Sequence, residues 1–208
     1  KELASQIEGV ISRLAHSFKV GNAIKNGTPV AIIGKTNAGK STLLNLLLNE
    51  EKAIVSSIHG TTRDVIEDTT IIKGQLFRFI DTAGIRNTTD TIESLGIERT
   101  FQKIEQSSII LWMIDATDAM QQIKEIGNDI FLRCKDKQLI IVINKADLLG
   151  DYPDLSGLIP ANMPIIFISA KEDRNIEQLQ QLLIESTQAT TQPGDIIVSN
   201  VRHFEALN

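Results

Sequence analysis

A glycine-rich stretch early in the chain has the residue types and spacing of a phosphate-binding loop. Residues Gly34 to Ser41 read GKTNAGKS and fit the pattern GxxxxGK(S/T). They lie between an apolar run, Val30 to Ile33, and a helix-like run, Thr42 to Leu48. Glycines let the backbone turn tightly, so that successive N–H groups point inward at a helix N-terminus, whose dipole favours negative charge. The stretch therefore predicts a polyphosphate site, with Lys40 on the phosphates and the Ser41 hydroxyl on Mg²⁺.

A second polar stretch follows the apolar run Phe77 to Ile80 and reads Asp81, Thr82, Ala83, Gly84. An acidic residue at the end of such a strand can bind Mg²⁺ through a water molecule. The backbone N–H of Gly84 can sense a γ-phosphate, because no side chain blocks the approach. We predict that this stretch responds to the state of a bound nucleotide.

Two further stretches indicate which base is bound. Asn144, Lys145 and Asp147 follow the apolar run Leu139 to Ile143 and form an Asn-Lys-x-Asp signature, typical of guanine-binding P-loop proteins. A carboxylate can accept hydrogen bonds from both N1–H and the exocyclic amine of guanine, and adenine offers no such donor pair there. This aspartate therefore favours GTP over ATP. Residues Ser169 to Lys171 end the next apolar run, where a backbone N–H can meet guanine O6 and a lysine can lie beside the base.

The remaining patterns predict the elements that hold these stretches at one edge of a sheet. Short β-branched runs predict six strands, near Val30 to Ile33, Val65 to Lys73, Leu76 to Asp81, Ile109 to Ile114, Leu139 to Ile143 and Ile165 to Ser169. Helical patterns predict helices near Gly39 to Leu48, Ile92 to Gln106, Gln121 to Lys135 and Asn175 to Gln188. Only Gly74 and Gln75 separate the second and third strands, which predicts an antiparallel hairpin.

The predicted fold class is therefore α/β. The strand and helix order gives a six-stranded, mixed, mostly parallel sheet with helices on both faces, the architecture of a P-loop NTPase with a Ras-like G domain. Ligands in such sheets bind at the carboxyl ends of the strands. Two acidic residues at one of those ends, Asp115 and Asp118, are expected to be loop caps rather than a metal pair. Trp112, in the middle of a strand, is expected in the core.

Composition limits the function classes. The net charge is −5 and no stretch of five or more Lys/Arg residues occurs, so the chain lacks the clustered cations of a nucleic-acid surface of its own. No apolar run reaches the roughly 18 residues of a membrane span. The single cysteine, Cys134, excludes an internal disulfide and favours a cytoplasmic location. We expect it to be a half-buried residue rather than a nucleophile.

Both ends carry helical patterns outside the predicted nucleotide-binding fold. Apolar residues recur at helical spacing from Leu3 to Phe18, and Ser199 or Asn200 could cap a short helix that runs to Leu207. We predict that residues 1–24 and 193–208 are short helices of a helical domain, into which a GTP-binding G domain, residues 25–192, is inserted. The alternative is a complete small protein with two capping helices.

Several stretches beyond the shared nucleotide motifs carry a family resemblance over nearly the whole chain. They are Gly60 to Asp64, Ile85 with Arg86, Glu93 to Arg99 and Asn200 to Glu205, together with Asn37 in the glycine-rich loop. On these residues the chain resembles the MnmE (TrmE) family of bacterial tRNA-uridine modification GTPases. It departs from the family's usual residues at Lys35, Thr36 and His59, whose side chains are not expected to touch a ligand.

The resemblance implies a GTPase that is stimulated by K⁺ and activated by dimerisation of its G domains in the transition state. Its hydrolysis of GTP drives the carboxymethylaminomethyl modification of the tRNA wobble uridine (U34). The implied metal ligands are Ser41 and Thr62 for Mg²⁺, and Asn37, Ser56, Ile58 and Thr61 for K⁺. The implied GTP-binding residues are Asn37, Ala38, Gly39, Lys40, Ser41, Thr42, Ser56, Ser57, Ile58, His59, Gly60, Thr61, Thr62, Asp81, Thr82, Ala83, Gly84, Asn144, Lys145, Asp147, Ser169, Ala170 and Lys171.

Catalysis needs a group that orients the attacking water. Many small GTPases use a glutamine directly after Asp-x-x-Gly, but Ile85 stands there and cannot form a hydrogen bond. The resemblance gives the role to Glu93, whose alternative is a solvated carboxylate stabilised by a helix dipole. Arg63 and Arg86 are assigned no catalytic role, because a salt bridge or a dimer contact explains each equally well.

The resemblance also implies partners. These are a flavin-dependent protein, MnmG, tRNA bound through that complex, and folate, the last only in an N-terminal domain outside this sequence; no membrane is implied. Two other classes of function are considered. One is a ribosome-assembly switch of the Era or Der type that binds RNA, and the other is a nucleotide-binding module with slow or no hydrolysis.

Overall fold

A computed structural model describes residues 26–49, 67–80, 82, 85 and 101–188. The strands are β1 (Thr28–Ile33), β2 (Asp68–Ile72), β3 (Gln75–Phe79), β4 (Ile109–Asp115), β5 (Gln138–Asn144) and β6 (Ile165–Phe167). The longer helices are α1 (Lys40–Asn49), α2 (Ala119–Arg133) and α3 (Ile176–Gln188), and residues 101–106 are also helical. Two short 3₁₀ turns, Ala116–Asp118 and Ala146–Leu148, follow β4 and β5.

The strands form one mixed sheet in the order β2-β3-β1-β4-β5-β6. Among the described strands, β2 and β3 are antiparallel, and the pairs β3 with β1, β1 with β4, β4 with β5 and β5 with β6 are parallel. The predicted six-stranded, mostly parallel sheet is therefore confirmed. The hairpin is also confirmed, but its turn is formed by Lys73 and Gly74, with φ of 48° and 83°, one residue earlier than predicted. Two successive left-handed residues are the geometry that a two-residue hairpin turn requires.

Each central strand buries both faces, which is why its sequence is an unbroken apolar run. On one face, Val30 and Ile32 of β1 share a core with leucines of α1 and α3: Leu43, Leu44, Leu47, Leu179 and Leu183. On the other face, Ala31 and Ile33 pack with Ile123 and Ile130 of α2. Helices therefore cover both faces, as predicted. Because β1, β4, β5 and β6 are parallel, their carboxyl ends lie at one edge of the sheet.

Two residues singled out in the sequence lie in the core of the α2 face. Trp112 is 1% exposed and meets Phe131 edge-on, with ring centroids 5.9 Å apart. Cys134 is fully buried rather than half-buried, and burial raises the pKa of its thiol to about 11. A thiol with this pKa carries little thiolate near neutral pH, which agrees with a packing role.

The two terminal segments, residues 1–24 and 193–208, lie outside the described residues. Their predicted helices and the domain boundaries at residues 25 and 192 therefore stay predictions. Within the part of the chain that the structure describes, every helix is too short or too polar to cross a membrane.

Candidate nucleotide-binding site

The loop between β1 and α1 has the shape that the glycine-rich motif predicts. Gly34 has φ of 144°, and a Cβ there would lie 2.2 Å from the carbonyl oxygen of Met113 in β4. Gly39 has φ of 94°, and a Cβ there would lie 2.2 Å from Nδ2 of Asn144. Asn37, between them, is left-handed with φ of 62°. Side chains at either glycine would therefore push the loop off the neighbouring strand ends.

Lys40, the first residue of α1, folds back over this loop. Its Nζ donates hydrogen bonds to the carbonyl oxygens of Gly34 at 2.7 Å and Lys35 at 2.6 Å. Burial, and then the charge of Lys103, lowers the pKa of Lys40 to about 8. The ammonium is thus held in the centre of the loop, where a bound phosphate would meet it.

The lowered pKa of Lys40 predicts how polyphosphate binding depends on pH. A bound polyphosphate favours the charged ammonium and so raises this pKa, which means that binding above pH 8 takes up a proton. We expect the affinity for GDP to change little from pH 6.5 to 7.5 and to fall about tenfold between pH 7 and pH 9. Calorimetric titrations in buffers of different ionisation enthalpy measure both the affinity and the proton uptake.

A matched variant controls for titration of the nucleotide itself. Lys40→Arg keeps a positive charge that does not titrate in this range, so whatever affinity remains is expected to be nearly independent of pH. A wild-type affinity that stays constant to pH 9, with no proton uptake, would contradict a pKa near 8 for this lysine.

Asn144, the last residue of β5, joins two loops of the site. It is 3% exposed, its Nδ2 donates to the carbonyl oxygen of Ala38 at 2.8 Å, and its Oδ1 accepts from the backbone N–H of Ala170 at 2.9 Å. One buried amide therefore connects the glycine-rich loop to the Ser-Ala-Lys loop. This bridging contact was not predicted from the sequence, where Asn144 was taken as a ligand contact.

Asp147 lies one residue into the 3₁₀ turn that follows β5. Ala146 anchors this turn, since its N–H donates to the carbonyl oxygen of Ile168 at 3.0 Å. The hydroxyl of Ser169 hydrogen-bonds the Asp147 carboxylate and holds its pKa below the usual value. The carboxylate is therefore charged at neutral pH and exposed, so that it can accept hydrogen bonds from a ligand.

The described parts of the motifs surround one cleft of about 540 Å³ at the carboxyl edge of the sheet. This volume lies within the usual range of small-molecule sites, roughly 300 to 1,000 Å³. The predicted residues that line it are Asn37, Gly39, Lys40, Ser41, Thr42, Asn144, Lys145, Asp147, Ser169, Ala170 and Lys171. Two other predicted residues are buried and do not line the cleft: Ala38 is 1% exposed and Thr82 is fully buried.

Three lining residues were missing from the predicted set: Thr36, Ile85 and Leu148. Thr36 lines the cleft, and whether its side chain touches a ligand stays a prediction. Leu148 is 63% exposed. Its position directly after the Asn-Lys-x-Asp signature is the sequence signal that could have identified it. Ile85 is buried, and its N–H donates to the carbonyl oxygen of Thr82 at 3.1 Å.

The other predicted site residues lie outside the described residues. They are Ser56, Ser57, Ile58, His59, Gly60, Thr61, Thr62, Asp81, Ala83, Gly84 and Glu93. Their roles stay predictions.

The two acidic residues predicted as loop caps, Asp115 and Asp118, form different contacts. Asp115 is a loop cap, as predicted, because its Oδ1 accepts from the N–H of Thr117 at 3.0 Å. Asp118 forms no capping hydrogen bond, so that prediction is wrong. Its carboxylate instead lies 3.6 Å from the Lys35 ammonium and accepts from Gln122 at 3.3 Å. No cluster of three metal-ligating side chains occurs among the residues with described positions.

Known proteins share both the sequence and the fold. Residues 29–145 match a protein family described as "50S ribosome-binding GTPase". The chain is 63% identical over 216 residues to a tRNA modification GTPase MnmE of Bacteroides thetaiotaomicron, aligning over 100% of this chain and 46% of that protein. It is 61% identical over 210 residues to the MnmE of Phocaeicola vulgatus, over 99% of this chain and 42% of the other. The chain thus spans less than half the length of these relatives.

Solved structures give the same class of fold. Era in complex with MgGDPNP and nucleotides 1506–1542 of 16S ribosomal RNA is 34% identical, with a TM-score of 0.55 over 76% of this chain and 56% of that one. A variant of Aquifex aeolicus Era bound to GDP and AlF₄⁻ is 35% identical, with the same TM-score and the same coverage of both chains. The predicted resemblance to MnmE is confirmed, and the chain belongs to the family of 50S ribosome-binding GTPases.

Proposed function

We propose that the cleft binds GTP, with guanine at Asp147 and the phosphates in the loop between β1 and α1. The observation that carries this proposal is the double hydrogen bond of Asn144, at 2.8 Å and 2.9 Å, which connects the phosphate loop to the Ser-Ala-Lys loop. This bridge would hold a phosphate site in the first loop and a guanine-type site beside the second within one cleft. A ligand that carries both groups fits this arrangement better than a free phosphate or a free base.

Mg²⁺ is proposed at the phosphate end. Ser41 lies in the first turn of α1, is only partly buried and lines the cleft beside Lys40, so its hydroxyl fits an oxygen site for this ion. Thr62 is proposed as the second ligand. Bound Mg²⁺ would neutralise charge that accumulates on the phosphates during hydrolysis.

K⁺ is proposed as a second cation of the transition state, and it would supply positive charge next to the phosphates. Two features favour this role. Ile85 lines the cleft directly after Asp-x-x-Gly and is 3% exposed, so its apolar side chain cannot orient water. Asn37 lines the cleft, is exposed and offers an amide oxygen. The other proposed ligands are Ser56, Ile58 and Thr61, and Glu93 is proposed to position the attacking water.

Hydrolysis is further proposed to require face-to-face dimerisation of two G domains. Asn37 and Thr36 line the cleft and are exposed, so a second copy could reach them. In the whole protein we propose that this cycle drives the carboxymethylaminomethyl modification of tRNA wobble uridine in the cytoplasm, with tRNA and the flavin-dependent MnmG as partners. The 63% identity to an MnmE protein supports this, against 34% to Era for the alternative of an RNA-binding switch.

Sedimentation velocity with a transition-state mimic tests the dimer. We expect a monomer with GDP alone, a dimer with GDP and aluminium fluoride in KCl, and a monomer with the same mimic in NaCl. Asn37→Gly removes the amide but fits the left-handed backbone, φ 62°, so it should abolish the dimer without loop strain. The matched control removes an exposed amide elsewhere, at Asn128 in helix α2. Because glycine would disturb this helix, the control substitution is Asn128→Ala. A wild type that stays monomeric in KCl with the mimic would contradict the proposal.

A further inference from the structure

An ion pair joins the ends of β4 and β5 beside the cleft. Asp115 and Asn144 are the last residues of these strands and are partners in the parallel register, so Lys145 emerges next to Asp115. The Lys145 Nζ lies 2.5 Å from Oδ2 of Asp115. The side chains are 34% and 21% exposed, so water screens this pair less than one on the open surface.

The carboxylate of Asp115 is fixed by further hydrogen bonds. Its Oδ1 accepts from the N–H of Thr117 at 3.0 Å and from the hydroxyl of Thr117 at 2.8 Å. This leaves Oδ2 directed to Lys145. Burial alone would raise the pKa of Asp115, but the hydrogen bonds from Lys145 and Thr117 outweigh it and keep the pKa below its usual value. The carboxylate therefore stays charged at neutral pH.

Lys145 is held in an unusual backbone conformation at the wall of the cleft. Its φ is 65°, in the left-handed region that lysine rarely adopts, and its side chain lines the cleft beside Asp147. A lysine side chain has four rotatable methylene groups and samples many rotamers when its end is free. Anchoring the ammonium removes this freedom before a ligand arrives, and preorganisation of this kind increases affinity.

We propose that Asp115 is a positioning residue for the nucleotide: it holds the Lys145 ammonium at the end of β4, so that the Lys145 stem forms a fixed wall at the guanine end of the cleft. The proposal rests on the proposed placement of guanine at Asp147. Asp115 itself does not line the cleft, and it acts through Lys145 and not through the phosphates.

Dissociation of fluorescent GDP, measured by stopped flow, tests the proposal. Asp115→Asn is expected to speed dissociation and raise KM for GTP about tenfold, with kcat within about twofold, because the hydrolysing end of the cleft is unchanged. Asp115→Ser retains an oxygen that can accept from the Thr117 N–H, so it keeps the loop cap but removes the partner of Lys145. Asp115→Ser should therefore speed dissociation and raise KM by the same factors as Asp115→Asn. A melting temperature measured for each variant tests whether that variant is folded.

A double-mutant cycle with Lys145→Ala separates positioning from a structural role. We expect Asp115→Asn to add no further loss in the Lys145→Ala background, because the lysine it acts through is gone. Asp154 caps Ser156 with the same geometry, at 2.9 Å, in a loop away from the cleft. Asp154→Asn is therefore the matched control and should leave dissociation unchanged.

The outcomes distinguish this inference from the proposed function. Wild-type dissociation rates in Asp115→Asn and Asp115→Ser would overturn the positioning role while leaving guanine binding in place. A loss that persists in the Lys145→Ala background would also overturn it and would indicate a structural cap. If the wild type itself fails to bind GDP, the proposed function fails instead.

Discussion

Replacing Asp147 by asparagine is expected to change the preferred base of the cleft from guanine to xanthine. A carboxylate accepts from both N1–H and the exocyclic amine of guanine, whereas an asparagine amide offers one acceptor and one donor. Its NH₂ group would face the guanine amine, donor against donor. Xanthine carries a carbonyl oxygen where guanine carries the amine, so the asparagine amide can pair with both of its groups.

The expected size of this effect follows from the charge on Asp147. The carboxylate is ionised at neutral pH and the Ser169 hydroxyl lowers its pKa further, so both proposed hydrogen bonds to guanine would be charge-assisted. Asp147→Asn loses the hydrogen bond to the exocyclic amine and removes the charge from the bond to N1–H, so we expect GTP binding to weaken by about 10².

Competition binding with GTP, XTP and ATP measures this change. Asp151→Asn removes an exposed carboxylate from the loop that follows and serves as the control, with preferences expected to match those of the wild type. An Asp147→Asn protein that still preferred GTP over XTP would show that the base lies elsewhere in the cleft.

The elements of this fold follow from local sequence patterns, because each strand of a doubly covered parallel sheet must be a short apolar run. Val30 to Ile33 and Leu139 to Ile143 were predicted as strands and are strands. The predicted ends of the strands were less accurate than their positions in the chain. Thr28 and Pro29 extend β1 because their backbones pair with Phe77 and Arg78 of β3, a contact that hydropathy does not register.

The contacts that assemble the site could not be predicted in the same way. The pair of Asp115 with Lys145 depends on the register between β4 and β5, which places Asp115 beside Asn144. The bridge of Asn144 depends on where the loops that hold Ala38 and Ala170 meet the end of β5. A sequence motif gives the types of residue at a site but not which of them meet each other. The motif therefore predicted that Asn144 belongs to the site, but not that both ends of its amide bond the backbone.

The strongest expected dependence on solution conditions concerns monovalent cations. Ile85, directly after Asp-x-x-Gly, is apolar and buried, and Lys40 is a partly buried cation of the described lining beside the proposed phosphates. An arginine that adds positive charge in other GTPases accelerates hydrolysis by about 10³ to 10⁵, which sets the scale of what one more cation can contribute.

The identity of the ion should matter as much as its charge. The proposed ligands are an amide oxygen of Asn37 and oxygens of Ser56, Ile58 and Thr61, a set of neutral dipoles. Sites built from such dipoles can discriminate K⁺ from Na⁺ because the smaller ion loses more on leaving water. Ionic strength alone acts on both salts equally, so it cannot produce a difference between them.

We propose that a monovalent metal supplies the charge for hydrolysis at this cleft. The most direct test is the GTP turnover of the wild type in KCl and in NaCl at equal ionic strength, with Asn37→Gly measured alongside. We expect turnover in KCl to exceed that in NaCl by at least about tenfold, and the difference to disappear in Asn37→Gly. Equal turnover of the wild type in the two salts would contradict the account.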